Sequence, residues 1–543
     1  MNRSTPLLLS TALMAAVAAA AISDPVRLDS GSVSGVPGKD PAVHVYKGIP
    51  YAAPPVGDLR WRAPQAPAKW EGVRAADKFG DTCTSGAGGG GGRGKGGAKG
   101  GKGAPPNQAK DAAANQAKGA PDRSLASTVP ASEDCLYVNV WTTAKSPNDR
   151  QPVIVWNYGG GFTGGSGSLP GYDGEALAKK GVVVVTYNYR LGMFGFFAHP
   201  ELTAESGHNA SGNYGMMDAF AVLRWVQKNI AGFGGDPRKV TIDGESAGAI
   251  LVAAIVGSPE GKGLFQRAAA QSGAWMGLSI AKMRTLQQAE AAGKTAAGSH
   301  TIAELRGMST QDLGQNVRGV QAGLIVDGWM IPEDESITYQ KGTQNNVDIL
   351  IGSNHDEGTF FGGGNVTAEQ AKTRASQTYG DLATEFLQLY PAGSDTEASA
   401  SGLARTRDEV GWHMRTWAEL QTKHGRKAYL YYFTHVPPGP GGEPSPRGAT
   451  HTAELAYMFH NPPTNDTWKQ PDYKLSDMMS SYWANFAATG NPNRKGLPEW
   501  PAYDQKKNDG KAMVFGDTVE FGPQIDAPRL AFFDKFYEIT EKR

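Results

Sequence analysis

The residues with the clearest capacity for chemistry are Gly244-Glu245-Ser246-Ala247-Gly248, a hydroxyl held between two glycines. A serine becomes an exposed nucleophile when it sits on a sharp turn between a strand and a helix, where Cβ atoms two residues away on either side find no room. The flanks supply that setting: Val240-Thr241-Ile242-Asp243 reads as a strand and 249–256 as an apolar helix. In so glycine-rich a chain a Gly-x-Ser-x-Gly match alone says little, and the strand before and helix after it give it meaning. A serine that merely caps a helix is the bland alternative, and this context disfavours it.

A nucleophilic serine attacking a carbonyl builds negative charge on the carbonyl oxygen, which backbone N–H groups aimed at that oxygen can stabilise without reorganising. Gly159-Gly160-Gly161 follows the apolar run 153–157, and the donors predicted from it are Gly160 and Gly161, with Ala247 as the third. The order expected after such a serine is an acid and then a histidine. Acid candidates are Asp356 and Glu357 at the end of the apolar run 349–351, and pattern does not choose between them. The histidines beyond that point include His413, His424, His435, His451 and His460. His413 and His424 fall in helical or polar surface pattern, where a solvated histidine is expected, and His435 caps a strand before a Pro-rich loop. His451 follows the loop 437–448 and opens a new apolar segment, which suits a base delivered over the sheet.

The elements that must position these groups are visible as short apolar runs. Residues 153–157, 182–188, 240–243, 347–351 and 428–433 are β-branched or aromatic and near-continuous, as strands covered on both faces are. Between two of them Met216, Phe220, Leu223, Val226 and Ile230 share one helical face. The alternation predicts an α/β fold, a mostly parallel sheet with helices on both faces, with its chemistry at the carboxyl ends of the strands.

Composition sets the outer limits. The chain has 543 residues, 40% of them hydrophobic, which rules out disorder throughout, and 53 basic residues cancel 53 acidic ones. No net field therefore draws it to nucleic acid or to an anionic membrane, and no nucleic-acid partner is expected. Residues 86–131 are rich in Gly, Ala and Lys and contain no aromatic residue, so they are expected to form a disordered loop insertion. The start reads Arg3 and then a mostly apolar stretch, 7–21, the layout of a secretory signal peptide ending near residue 23. No later run is long enough to span a bilayer, so a secreted or periplasmic protein without stable membrane insertion is expected. Cys83 and Cys135 then belong to the exported part and are expected to pair as a disulfide. With no His at ligand spacing beside them, neither a metal site nor a cofactor is expected.

Several blocks carry a resemblance. Phe233-Gly234-Gly235-Asp236-Pro237-Arg238-Lys239-Val240 leads into the serine pentapeptide, and Glu133-Asp134-Cys135-Leu136-Tyr137-Val138-Asn139-Val140 lies upstream. With Gly48-Ile49-Pro50-Tyr51-Ala52, Asn188-Tyr189-Arg190-Leu191-Gly192 and Trp483-Ala484-Asn485-Phe486, these resemble the type-B carboxylesterase and lipase family, the cholinesterase-like branch of the α/β-hydrolases, as a bacterial-type secreted member. The chain departs from the usual pattern at Thr143, and at Tyr158 where many members have His. The resemblance implies one α/β-hydrolase domain over 24–543 and ester hydrolysis through an acyl-enzyme on small-molecule esters. It implies Ser246 as nucleophile, Glu357 rather than Asp356 as acid and His451 as base. It also implies oxyanion donors from Gly160, Gly161 and Ala247, the Cys83–Cys135 disulfide, and support from Glu245, Ser272 and Glu454. Phe162 and Trp275 are expected to line the acyl side of the pocket. The rate is expected to fall on the acid side near an ordinary imidazole pKa. Amide or carbamate hydrolysis with the same triad, and a non-catalytic binding protein on the same fold, are the alternatives.

Overall fold

The computed structural model describes residues 22, 24–86, 128–273, 283–361 and 366–541. The expected signal peptide, apart from residue 22, and residues 87–127 of the expected insertion lie outside the described residues.

One large sheet organises the molecule. Its strands are β1 (Val36–Pro37), β2 (His44–Pro50), β3 (Tyr137–Thr142), β4 (Gln151–Asn157), β5 (Val183–Tyr187), β6 (Gly235–Gly244), β7 (Arg267–Gln271), β8 (Asp348–Asn354), β9 (Ala428–Phe433), β10 (Lys511–Phe515) and β11 (Val519–Pro523). They lie in the order β11-β10-β9-β8-β7-β6-β4-β5-β3-β2-β1. From β5 through to β10 every neighbour is parallel. The antiparallel pairs are confined to the two ends of this sheet. This is the mostly parallel sheet that the apolar runs predict, in the α/β-hydrolase architecture that the resemblance implies.

The centre is parallel because its strands can be buried on both faces. All five residues of β5, Val183 to Tyr187, are buried, and so are all six of β9. Strands with no polar face must be covered by helices on both sides. Helices that cover the sheet or carry the site include α1 (Tyr214–Asn229), α2 (Ala247–Gly257), α3 (Glu357–Phe360), α4 (Asp395–Lys423) and α5 (Gln470–Thr489). α1 buries Met216, Phe220, Leu223 and Val226, the stripe expected of it. α2 runs from the serine turn back over β6 and β7, and its apolar residues other than the half-buried Ile250 are buried.

The strand β7 has no counterpart among the apolar runs, for a physical reason. Its middle is Ala268-Ala269-Ala270, which has little intrinsic strand preference. Pairing fixes it instead, with Ala268 opposite both Ile242 and Ile349, and its small side chains leave room for α2. Beyond the sheet, Cys83 and Cys135 form a disulfide beside a two-stranded parallel ribbon, Thr82–Cys83 with Ala131–Ser132. Bond and ribbon together close the base of the segment that carries the glycine-rich residues. Among the described residues no helix is long and apolar enough to cross a membrane.

Candidate active site

Ser246 sits where β6 turns into α2, with φ 55° and ψ −124°, a conformation that a residue with a side chain rarely adopts. The neighbouring glycines explain how the turn closes. A Cβ on Gly248 would lie 2.0 Å from the Asn157 oxygen, and one on Gly244 would lie 2.6 Å from the Gly248 oxygen. The Ser246 N–H donates to the Gln271 oxygen at 2.9 Å, which hangs the turn on the end of β7. A Cβ on Gly273 would approach the Ser246 oxygen to 2.2 Å, so β7 and the turn touch through backbone.

The glycine triplet lies against this turn. A Cβ on Gly159 would come within 2.9 Å of Ser246 Cβ, while Gly160 and Gly161 both have positive φ, 109° and 61°. The loop is bent by Thr163 and Gly164, whose N–H groups both donate to the Gly160 oxygen at 3.1 Å. Among the described residues the N–H groups of Gly160 and Gly161 donate no hydrogen bond, and that of Ala247 is the first of α2. Gly159 packs on the Ser246 side chain and Ala247 follows Ser246 directly, so the three amides lie on segments that adjoin the serine. Tyr158 is stacked on Tyr189 at 4.4 Å, and each hydroxyl donates to the other's carbonyl, at 3.1 and 2.8 Å. Those bonds anchor the start of the glycine loop.

Glu357 and His451 meet across the carboxyl ends of β8 and β9. Glu357 Oε2 is 2.6 Å from His451 Nδ1, and its Oε1 accepts from the Asn354 N–H at 2.9 Å. Both side chains are buried. Asp356 does different work: its Oδ2 accepts from the Ala449 N–H at 2.8 Å and its own N–H donates to the Ala449 oxygen at 2.9 Å. It therefore staples the histidine loop to β8. Thr452, directly after His451, has φ 76° and completes the bend.

The other ring nitrogen has an unexpected neighbour. His451 Nε2 lies 3.0 Å from Glu245 Oε1, an ion-pair contact, and makes no hydrogen bond to Ser246. Burial alone would lower the imidazolium pKa, yet Glu245 and Glu357 outweigh it and hold His451 well above the ordinary imidazole range. The acid-side fall in rate expected near the ordinary imidazole value is therefore corrected upward. Glu454 stands behind this pair. Burial first, and then the charge of Glu245, push its carboxyl up to about 8, and its Oε2 accepts from Asn354 Nδ2. Ser272 is buried at φ 54°, with its N–H donating to the Gly352 oxygen at 2.8 Å and its Oγ unpartnered among the described residues.

The expected pocket residues fare unevenly. Phe162 is buried at φ 59° against Phe196, with ring centroids 5.0 Å apart, and Trp275 lies outside the described residues. The chain supplies instead an aromatic pair that motif reasoning misses. Phe360 and Phe361 each place a ring centroid 5.0 Å from that of His451 and remain 46% and 55% exposed. Two phenylalanines immediately after the acid block are the available signal. His413, expected at a surface, is in fact buried within α4, and burial alone pushes it down to about 3. Among the described residues no group of three His, Cys, Asp or Glu side chains is placed to hold a metal ion.

The sequence profile of the carboxylesterase family matches residues 23–533. The chain is 35% identical over 523 residues to the fumonisin B1 esterase of Sphingopyxis macrogoltabida, covering 91% of this chain and 86% of that protein. It is 31% identical over 522 residues to the para-nitrobenzyl esterase of Bacillus subtilis strain 168, covering 91% and 96%. Among solved structures it is similar to a PNB esterase, with a TM-score of 0.74 at 30% identity over 93% of this chain and 99% of that one.

Proposed function

This chain belongs to the carboxylesterase family and is a carboxylic ester hydrolase, and from that premise we propose that it works through an acyl-enzyme on Ser246, with His451 as base and Glu357 as the acid that orients it. The observation that carries the proposal is the 2.6 Å contact between Glu357 and His451 Nδ1 over a serine forced to positive φ between close-packed glycines. With Nδ1 held by Glu357, the lone pair of neutral His451 is on Nε2, the only nitrogen left to take a proton.

In this scheme His451 first gives up its extra proton and its attraction to Glu245 weakens. The ring then accepts the Ser246 proton as Oγ attacks the ester carbonyl. The N–H groups of Gly160, Gly161 and Ala247 hold the developing oxyanion, the alcohol departs with the proton from His451, and water repeats the cycle on the acyl-enzyme. Glu245 faces the imidazole, and Ser272 and Glu454 are assigned the support of the groups around it. The substrate is a small-molecule ester, and the exposed faces of Phe360 and Phe361 suit one with an apolar or aryl group next to the scissile bond. The disulfide agrees with export to an oxidising compartment. Ser246→Ala is expected to abolish hydrolysis of a p-nitrophenyl ester while leaving the circular-dichroism spectrum unchanged. Turnover near the wild-type rate in that variant would remove the proposal.

A further inference from the structure

Behind the nucleophile lies an acid that this acyl transfer does not use. Asp243, the residue before Gly244, is wholly buried at the carboxyl end of β6. Its Oδ1 accepts from Gln271 Nε2 at 3.2 Å. Its Oδ2 has no partner among the described residues, and neither has Gln271 Oε1. The Trp483 indole N–H of α5 stands beside the carboxyl and favours its ionised form.

An ionised carboxylate and an amide oxygen can only accept, so the two bare oxygens cannot satisfy each other as they stand. A single proton on Oδ2 changes that. The carboxyl then donates to Gln271 Oε1 while Oδ1 still accepts from Nε2, closing a planar pair of hydrogen bonds between acid and amide. Both bare oxygens belong to groups already joined by the first bond, so the second needs little movement. Burial favours this form as well, pushing the Asp243 carboxyl up to about 7 against the pull of Gln271, the Gly244 N–H and the Trp483 indole.

Gln271 is the residue on which the serine turn hangs. Its carbonyl accepts the Ser246 N–H at 2.9 Å, and it pairs with Glu245 as an isolated bridge. We propose that Asp243 carries a proton and grips the Gln271 carboxamide through two hydrogen bonds, which makes it a positioning residue for Ser246. The role in turnover rests on Ser246 being the nucleophile, whereas the proton on Asp243 does not. The other ionisable groups near this spot are Tyr431 of β9 and the carboxylates Glu245, Glu357 and Glu454, whose charges all reach the Tyr431 hydroxyl, as that of Asp243 does once it is ionised. His451 lies beyond them, between Glu245 and Glu357. As pH rises through the Asp243 pKa, the second bond is lost and a fresh charge is left in a dry site, so the grip on the turn loosens.

Infrared difference spectroscopy reads the proton directly, without any need for activity. Wild type minus Asp243→Asn, both at about pH 5.5, is expected to show the C=O stretch of one protonated carboxyl. Absence of that band overturns the proposal. Asn at this position can make the same two bonds to Gln271 at every pH. The variant should therefore match wild-type kcat below neutrality and exceed it by about threefold near pH 9. An alkaline fall identical to wild type would show that the proton does not govern the turn. Gln271→Leu is expected to cut kcat and the rate of serine phosphonylation about tenfold with KM unchanged. Wild-type rates in that folded variant, or a change in KM alone, would contradict the positioning role.

Discussion

Ser246 and His451 are held in place by different forces. The serine is fixed by lack of room: backbone oxygens of Asn157, Gly248 and Ser246 itself stand where Cβ atoms at 248, 244 and 273 would go. The histidine is fixed by charge, with Glu357 2.6 Å from one ring nitrogen and Glu245 3.0 Å from the other. A steric device fails abruptly when an atom is added and is itself indifferent to pH, so any pH dependence of the serine turn comes through the grip of Asp243 on Gln271. An electrostatic one keeps its shape when a charge is removed and changes its proton affinity instead.

Substitutions at the two regions should therefore fail in different ways. The largest effect is expected at the charged region: Glu357→Gln leaves the packing intact but withdraws the acceptor that fixes the imidazole tautomer, and kcat should fall on the order of 10³- to 10⁴-fold. Steady-state kinetics beside an unchanged melting temperature would check this, and a loss of less than about tenfold would separate Glu357 from the reaction. Gly248→Ala should be next. Its methyl group would meet the Asn157 oxygen at 2.0 Å, so the turn must open, with stability falling by about 1–3 kcal/mol and activity falling at every pH alike. Thermal unfolding and a pH–rate profile of unchanged shape would verify it. The smallest effect in rate, and the sharpest test of the contrast, is Glu245→Gln. His451 acts as a base only when deprotonated, and Glu245 raises its pKa, so activity in the wild type should rise with pH through a value above the ordinary imidazole range. Removing that charge should move the acid side of the profile to lower pH with the plateau within about tenfold of wild type. An unmoved profile would show that the contact at 3.0 Å carries no weight in solution.

The same contrast explains what is legible in the sequence. Steric devices leave a local mark, so the Gly-x-Ser-x-Gly turn, the glycine triplet and the continuously apolar strands β4, β5, β6, β8 and β9 are all visible as patterns of neighbouring residues. Contacts made by charge across the fold leave none. Nothing near His451 in sequence indicates that Glu245, on another strand's end, would face its Nε2, nor that Asp356 would tie down the loop while Glu357 took the imidazole. Only the resemblance to known esterases separates those two neighbours. The alanine strand β7 is hidden because its partners, not its residues, make it a strand. His413 reads as a surface residue because the packing that buries it in α4 is tertiary. Phe360 and Phe361 are marked in the sequence only by following the acid block, and the fold alone brings them over the histidine.

The central claim is that one hydroxyl becomes covalently acylated. Peptide mass spectrometry after treatment with an organophosphonate that stops hydrolysis should find a single adduct, on the peptide containing Ser246, in proportion to the activity lost. An inhibited enzyme with its label on any other residue, or with none, would contradict the account.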